Sequence, residues 1–175
     1  MKKIFILLIL FAAVLFTAGC TDKTQENSTD SQNTQEKTAV VEATQLEQIN
    51  ASLQKGPVLL KIGAEWCDEC QAIKPTLAQI AAEYEGKVTV MSVDINNSPK
   101  LADYFGINVI PDTSVIVGIK NGEYIYMREN GNVSSDRFKA RILKLDDKEV
   151  FEKILNFALQ KEKNQIQTIK LIQRT

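Results

Sequence analysis

Histidine is absent from this chain of 175 residues, and cysteine occurs three times, as Cys20, Cys67 and Cys70. A structural zinc site takes about four Cys or His ligands, so the composition leaves no room for one. An excess of charge of one sign is also lacking. The 21 Lys and Arg against 22 Asp and Glu give a net charge of −1, and the basic residues are dispersed along the chain. Nucleic acid, which selects clustered Lys and Arg, is therefore not an expected partner. The apolar run from Ile4 to Phe16 falls short of the ~20 residues that span a bilayer. No internal repeat is present. What remains, 44% apolar and 25% charged, suffices for one domain with an ordinary core.

The N-terminus has three regions. Met1-Lys2-Lys3 is followed by the apolar run Ile4–Phe16 and then by Thr17-Ala18-Gly19-Cys20, the layout of a secretory signal. The small residues ending at Cys20 resemble the lipobox of lipoprotein signal peptides, with Thr17 standing where that motif usually has leucine. The resemblance implies a signal over residues 1–19, cleavage after Gly19 and acylation of Cys20 through its sulfur. An uncleaved helical anchor, or a secreted chain with a free Cys20, remain as alternatives. Residues 20–38 are almost all polar and contain no aromatic or branched aliphatic side chain before Thr38; such a stretch cannot bury a core and is expected to be a flexible tether.

Trp66-Cys67-Asp68-Glu69-Cys70 is the stretch that carries chemistry. Two thiols separated by two residues at the start of a helix form and break a disulfide without moving the backbone. Cys67, nearest the helix N-terminus, faces unpaired N–H groups that favour its thiolate, which assigns it as the nucleophile. Cys70, one turn deeper, is placed to attack a mixed disulfide on Cys67 and resolve it. A purely structural disulfide is the competing reading, but a two-residue loop constrains the unfolded chain little.

Around this motif the pattern predicts alternating elements. Leu46, Ile49 and Leu53 have helical spacing within Thr44–Lys55, which ends at Gly56-Pro57. Val58–Ile62 reads as a buried strand that leads directly into the motif. Ala72, Ile73, Leu77, Ile80, Ala81 and Tyr84 then mark one face of a helix ending at Gly86, in which Pro75 predicts a kink. Val88–Asp94 reads as a second strand, and Ser98-Pro99 as the cap and first turn of a short helix that stops at Gly106. Thr113–Ile119 and Glu123–Met127 form a hairpin through Asn121-Gly122. In Arg128–Lys144, the spacing of Phe138, Ile142 and Leu145 suits a helix, whereas Asn130-Gly131 suits another turn. Asp147–Lys163 is an amphipathic helix that Gln165–Thr175 either extends or lets fray.

With these elements in order, residues 39–164 resemble the thioredoxin superfamily, on Ala64-Glu65-Trp66-Cys67 and Cys70, on Pro75 five residues later, and on Val109-Ile110-Pro111 before the hairpin. The resemblance implies an α/β thioredoxin fold with a central mixed β-sheet flanked by helices, and residues 165–175 as a C-terminal extension. It implies a cis peptide at Pro111 lying against the disulfide, with Ile110 and Pro111 forming a client-binding lip and Trp66 shielding the cysteines while offering clients an apolar surface. Two positions depart from the family pattern. Lys61 stands where the family often has a buried acid that takes the proton of the resolving cysteine, and Asp112 stands where it often has threonine. Lys61 is expected to reach the surface with its stem buried, the alternative being a desolvated base.

The reading is a lipid-anchored thiol-disulfide oxidoreductase on the extracytoplasmic face of the cell membrane. It exchanges disulfides with extracytoplasmic protein clients and draws electrons from a membrane dithiol. No organic cofactor and no metal is implied. Asp68 and Glu69, beside Cys67, and Lys61 are expected to tune the redox balance. The competing readings are a non-catalytic binding lipoprotein of the same fold and a chaperone that holds a soft ion such as Cu(I) between the two thiolates.

Overall fold

The computed structural model describes residues 40–173, apart from residue 144. The expected signal segment, the tether and Cys20 lie outside the described residues. Those that are described belong to one compact unit.

Twelve elements follow in chain order: β1 (Val41–Glu42), α1 (Leu46–Leu53), β2 (Val58–Gly63), α2 (Asp68–Ala72), α3 (Lys74–Glu83), β3 (Thr89–Asp94), α4 (Pro99–Tyr104), β4 (Asp112–Lys120), β5 (Glu123–Met127), β6 (Val133–Ser134), a 3-10 helix (Arg137–Ala140) and α5 (Lys148–Ile172). The strands form one sheet in the order β1-β3-β2-β4-β5-β6. β1, β3 and β2 pair in parallel, while β2, β4, β5 and β6 pair antiparallel. The mixed sheet flanked by helices is the architecture expected from the pattern.

Alternation along the strands sends side chains to two separate cores. Leu59, Val90 and Val115 point to one face, where they meet Leu77 and Ile80 of α3 and Phe151, Ile154 and Leu155 of α5. Leu60, Ile62, Met91, Val93 and Ile116 point to the other, against Ile49 of α1 and Leu101 of α4. β2 is buried along its whole length because helices cover both of its faces, which is why it reads as a continuous apolar run broken only by Lys61. Burying one such Leu or Ile contributes about 1.5–3 kcal/mol, so β2 is among the best-anchored parts of the molecule.

Several expectations change in the structure. The helix after the motif is interrupted at Ile73 rather than kinked, and Pro75 falls in the first turn of α3, where the N–H it lacks would have had no partner. Ser98 caps α4 through its backbone only; its Oγ is buried without a hydrogen-bond partner. In 128–144 the turn reading prevails. Gly131 N–H donates to Arg128 O, the chain returns as β6, and only four residues of 3-10 helix follow, with Phe138 55% exposed. The hairpin is as expected. Asn121 (φ 55°) and Gly122 (φ 81°) both take the left-handed conformation that a tight two-residue turn requires. α5 continues to Ile172 without a break.

Candidate active site

β2 ends at Gly63, and its next residues deliver the two cysteines to the first turn of α2. Cys67 is the residue before α2, in extended conformation, and its Sγ accepts a hydrogen bond from Cys70 N–H at 3.2 Å. The two are joined by a disulfide, with their Cα atoms 5.1 Å apart. The approach is held from outside the motif. Gln71 Nε2 donates to Glu65 O at 2.7 Å, and Asp94, at the end of β3, accepts from Glu65 N–H at 3.1 Å as well as from Asn96 and Asn97 N–H.

Cys70 is fully buried, and Cys67 is 5% exposed, less open than the sequence suggested but the more accessible of the two. Their cover comes from Ala64, Ile95 and Ile110. Trp66, expected to shield them, is 67% exposed and offers its ring to solvent. The Ile110–Pro111 peptide is cis, and both residues are half-buried. Asp68 and Glu69 are exposed in the first turn of α2, with Glu69 Oε2 3.9 Å from Cys67 Sγ. The structure thus brings Cys67, Cys70, Glu69 and Ile110 together, with Pro111 next to Ile110, Asp68 between the cysteines and Trp66 before them.

Lys61 corrects an expectation. It does not reach the surface: the residue is 4% exposed, and burial pushes its ammonium below the usual lysine range, assisted by Lys74 and opposed by Asp94 and Glu65. Its neighbourhood is polar for a reason that alternation explains. Lys61 pairs with Ser92 on one side and with Thr113 on the other, and Gly63 pairs with Asp94. All lie on the sheet face that α2 and α3 cover.

Asp112, which follows the cis peptide, is 2% exposed and forms an ion pair with Arg137 of the 3-10 helix, whose Nε also donates to Phe105 O at 3.0 Å; Arg141 lies 3.7 Å from the second carboxylate oxygen. Reasoning from sequence missed this network, since nothing local links residues 25 apart. Among the described residues, no three metal-ligating side chains converge.

A thioredoxin family model matches residues 34–144, more than half of the chain. The chain belongs to the thioredoxin family. It is 37% identical over 62 residues to thioredoxin 1 of Nostoc sp., matching 35% of this chain and 58% of that one. It is 39% identical over 67 residues to a thioredoxin of Rickettsia felis, matching 38% of this chain and 61% of that one. It is 38% identical over 69 residues to the chloroplastic thioredoxin M5 of Oryza sativa subsp. japonica, matching 39% of this chain and 38% of that one. The chain therefore spans less than two thirds of the length of these curated relatives. A mutant thioredoxin from Halobacterium salinarum NRC-1 superposes with a TM-score of 0.51 at 17% identity, over 70% of this chain and 93% of that one, a likeness of fold. Within the thioredoxin frame, the Cys67–Cys70 disulfide sits at the carboxyl end of a parallel-paired strand, where open α/β sheets place their sites.

Proposed function

We propose that this thioredoxin-family chain is a thiol-disulfide oxidoreductase that reduces disulfides of extracytoplasmic protein clients. The observation that carries the reading is the Cys67–Cys70 disulfide, with one sulfur partly reachable and the other fully covered. In the reduced protein, the Cys67 thiolate attacks a client disulfide, forming a mixed disulfide and expelling one client thiolate. Cys70 then attacks Cys67 Sγ, the bond to the client breaks, and the second client thiolate leaves with the electron pair. The client is reduced by two electrons, and the Cys67–Cys70 disulfide is restored. A membrane dithiol returns the electrons.

Ile110 and Pro111 supply the lip against which a client segment lies, and the exposed Trp66 ring supplies apolar surface beside it. Insulin reduction with dithiothreitol as donor tests the chemistry. Turnover is expected in the wild type and should disappear in Cys67→Ser; turnover independent of Cys67 would remove the assignment. Alkylation of the reduced protein near neutral pH should label Cys67 before Cys70, and the reverse order would exchange their roles.

The lipid anchor is part of the same proposal. It rests on the signal-like run and on Cys20 after small residues. Replacing Cys20→Ser should release the protein from membranes, whereas unchanged fractionation would assign anchoring to the N-terminal apolar run itself.

A further inference from the structure

The face of the sheet that α2 and α3 cover is apolar except at one place. Lys61, Ser92, Asp94 and Thr113 form a polar island there, brought together by strand register rather than by sequence proximity. Thr113 Oγ1 is buried without a hydrogen-bond partner. Gly63 lies directly over this island. A Cβ at Gly63 would stand 2.7 Å from Cys70 Sγ, 2.7 Å from Lys61 Nζ and 2.8 Å from Lys61 Cε, its three nearest heavy atoms. Twice 2.7 Å is therefore the greatest separation between the amine and the sulfur, and no side chain stands between them. Below Lys61, a cavity of about 510 Å³ opens among Ala64, Glu65, Lys74, Ser92 and Asp94.

Resting on the oxidoreductase reading above, we propose that Lys61 is the internal base of the resolving step. Its neutral amine takes the proton of the Cys70 thiol across the gap that Gly63 leaves open. Cys70 is fully buried, so bulk water has no direct route to that proton. The step balances as follows: the Cys70 S–H bond breaks and an N–H bond forms on Lys61. The Cys70 thiolate then forms the S–S bond to Cys67, and the client thiolate departs with the electrons of the broken bond. The Lys61 ammonium returns its proton to water through the cavity, where Asp94 stands as the attracting carboxylate. Desolvation, which lowers the Lys61 pKa, makes the neutral amine accessible. The groups that face Lys61 and titrate or carry charge are Lys74 from α3, Asp94 from β3, Glu65 from the loop before α2 and Cys70 from α2; β4 contributes Thr113, which does not titrate.

The test uses the full chain carrying Cys20→Ser, so that only the site thiols react. The reduced protein is mixed with an aromatic disulfide whose released thiol absorbs light. The first release reports attack by Cys67 and the second reports resolution by Cys70. The ratio of second to first rate near pH 7 should fall about 100-fold in Lys61→Met, within the range of general-base effects, and its pH midpoint should move up to the ordinary thiol range. Lys61→Arg keeps a cation but cannot give up its proton, so it should resemble Lys61→Met; recovery of the wild-type ratio by Arg would overturn the proposal, as would an unchanged pH profile in Lys61→Met. If either variant misfolds, the wild type decides through the nitrogen resonance of Lys61 in the reduced protein. A titration coupled to that of Cys70 is expected, and an amine that stays charged up to its ordinary range overturns the role. No second release in the wild type would remove the dithiol reading itself, and this proposal with it.

Discussion

At Cys67 two opposing effects meet within one helical turn. The Cys70 N–H, 3.2 Å from Cys67 Sγ, favours negative charge on that sulfur, and the Glu69 carboxylate, 3.9 Å away, disfavours it. A thiolate held less firmly makes the reduced form less stable and the dithiol a stronger reductant. Because Asp68 and Glu69 are exposed, each charge contributes about 1 kcal/mol or less, and ~1.4 kcal/mol corresponds to ~30 mV for a two-electron couple. The expected outcome for Asp68→Asn/Glu69→Gln is a reduction potential shifted by tens of millivolts toward oxidising values, measured against glutathione. A shift the other way would mean that the acids act mainly by stabilising the start of α2 rather than by opposing the thiolate.

Between elements, the Asp112–Arg137 pair ties the start of β4, next to the cis peptide, to the 3-10 helix that follows β6. Both side chains are buried, at 2% and 5% exposed, and Arg137 also anchors the end of α4 through Phe105 O. Such a pair adds little net stability when intact but costs much when halved, because the surviving charge stays buried. Asp112→Asn should therefore destabilise the fold by about 3–5 kcal/mol, read from chemical denaturation, and loosen the segment 137–142. Replacing both residues with apolar side chains of similar volume should recover most of that loss. If Asp112→Asn alone is nearly neutral, water reaches Arg137 more freely than its burial implies.

For the molecule as a whole, Lys61 is a cost carried inside the core. Its pKa in the folded chain lies below the usual 10.5. Below the folded value both states hold the proton, and the folded state bears the whole desolvation penalty. As pH rises from the folded value toward 10.5, the folded chain releases its proton first, the unfolded chain binds more, and stability climbs. Lys61→Met should thus be more stable than wild type near neutral pH, by about 1–3 kcal/mol. The gap should narrow as pH approaches 10.5, followed by urea midpoints of the oxidised proteins. A constant gap across that range would mean that Lys61 does not titrate in the fold.

Much of this molecule was readable from residue order because the decisive forces there are local. Asn121-Gly122 demands a left-handed turn whatever surrounds it, the apolar runs of β2 and β3 need two covered faces, and Cys67 and Cys70 lie one turn apart on any helix that α2 could be. The two-residue strands β1 and β6 were not readable, since hydrogen bonds to a neighbouring strand, not composition, make them strands. Lys61 looked like a side chain bound for solvent because its burial is set by α2 and α3 closing over the sheet. Its polar company of Ser92, Asp94 and Thr113 comes from register across three strands, and Asp112 meets Arg137 only when the chain after β6 turns back. Where a group's environment is built by distant segments, its charge and reach along the chain say nothing of what surrounds it, and packing assigns its role.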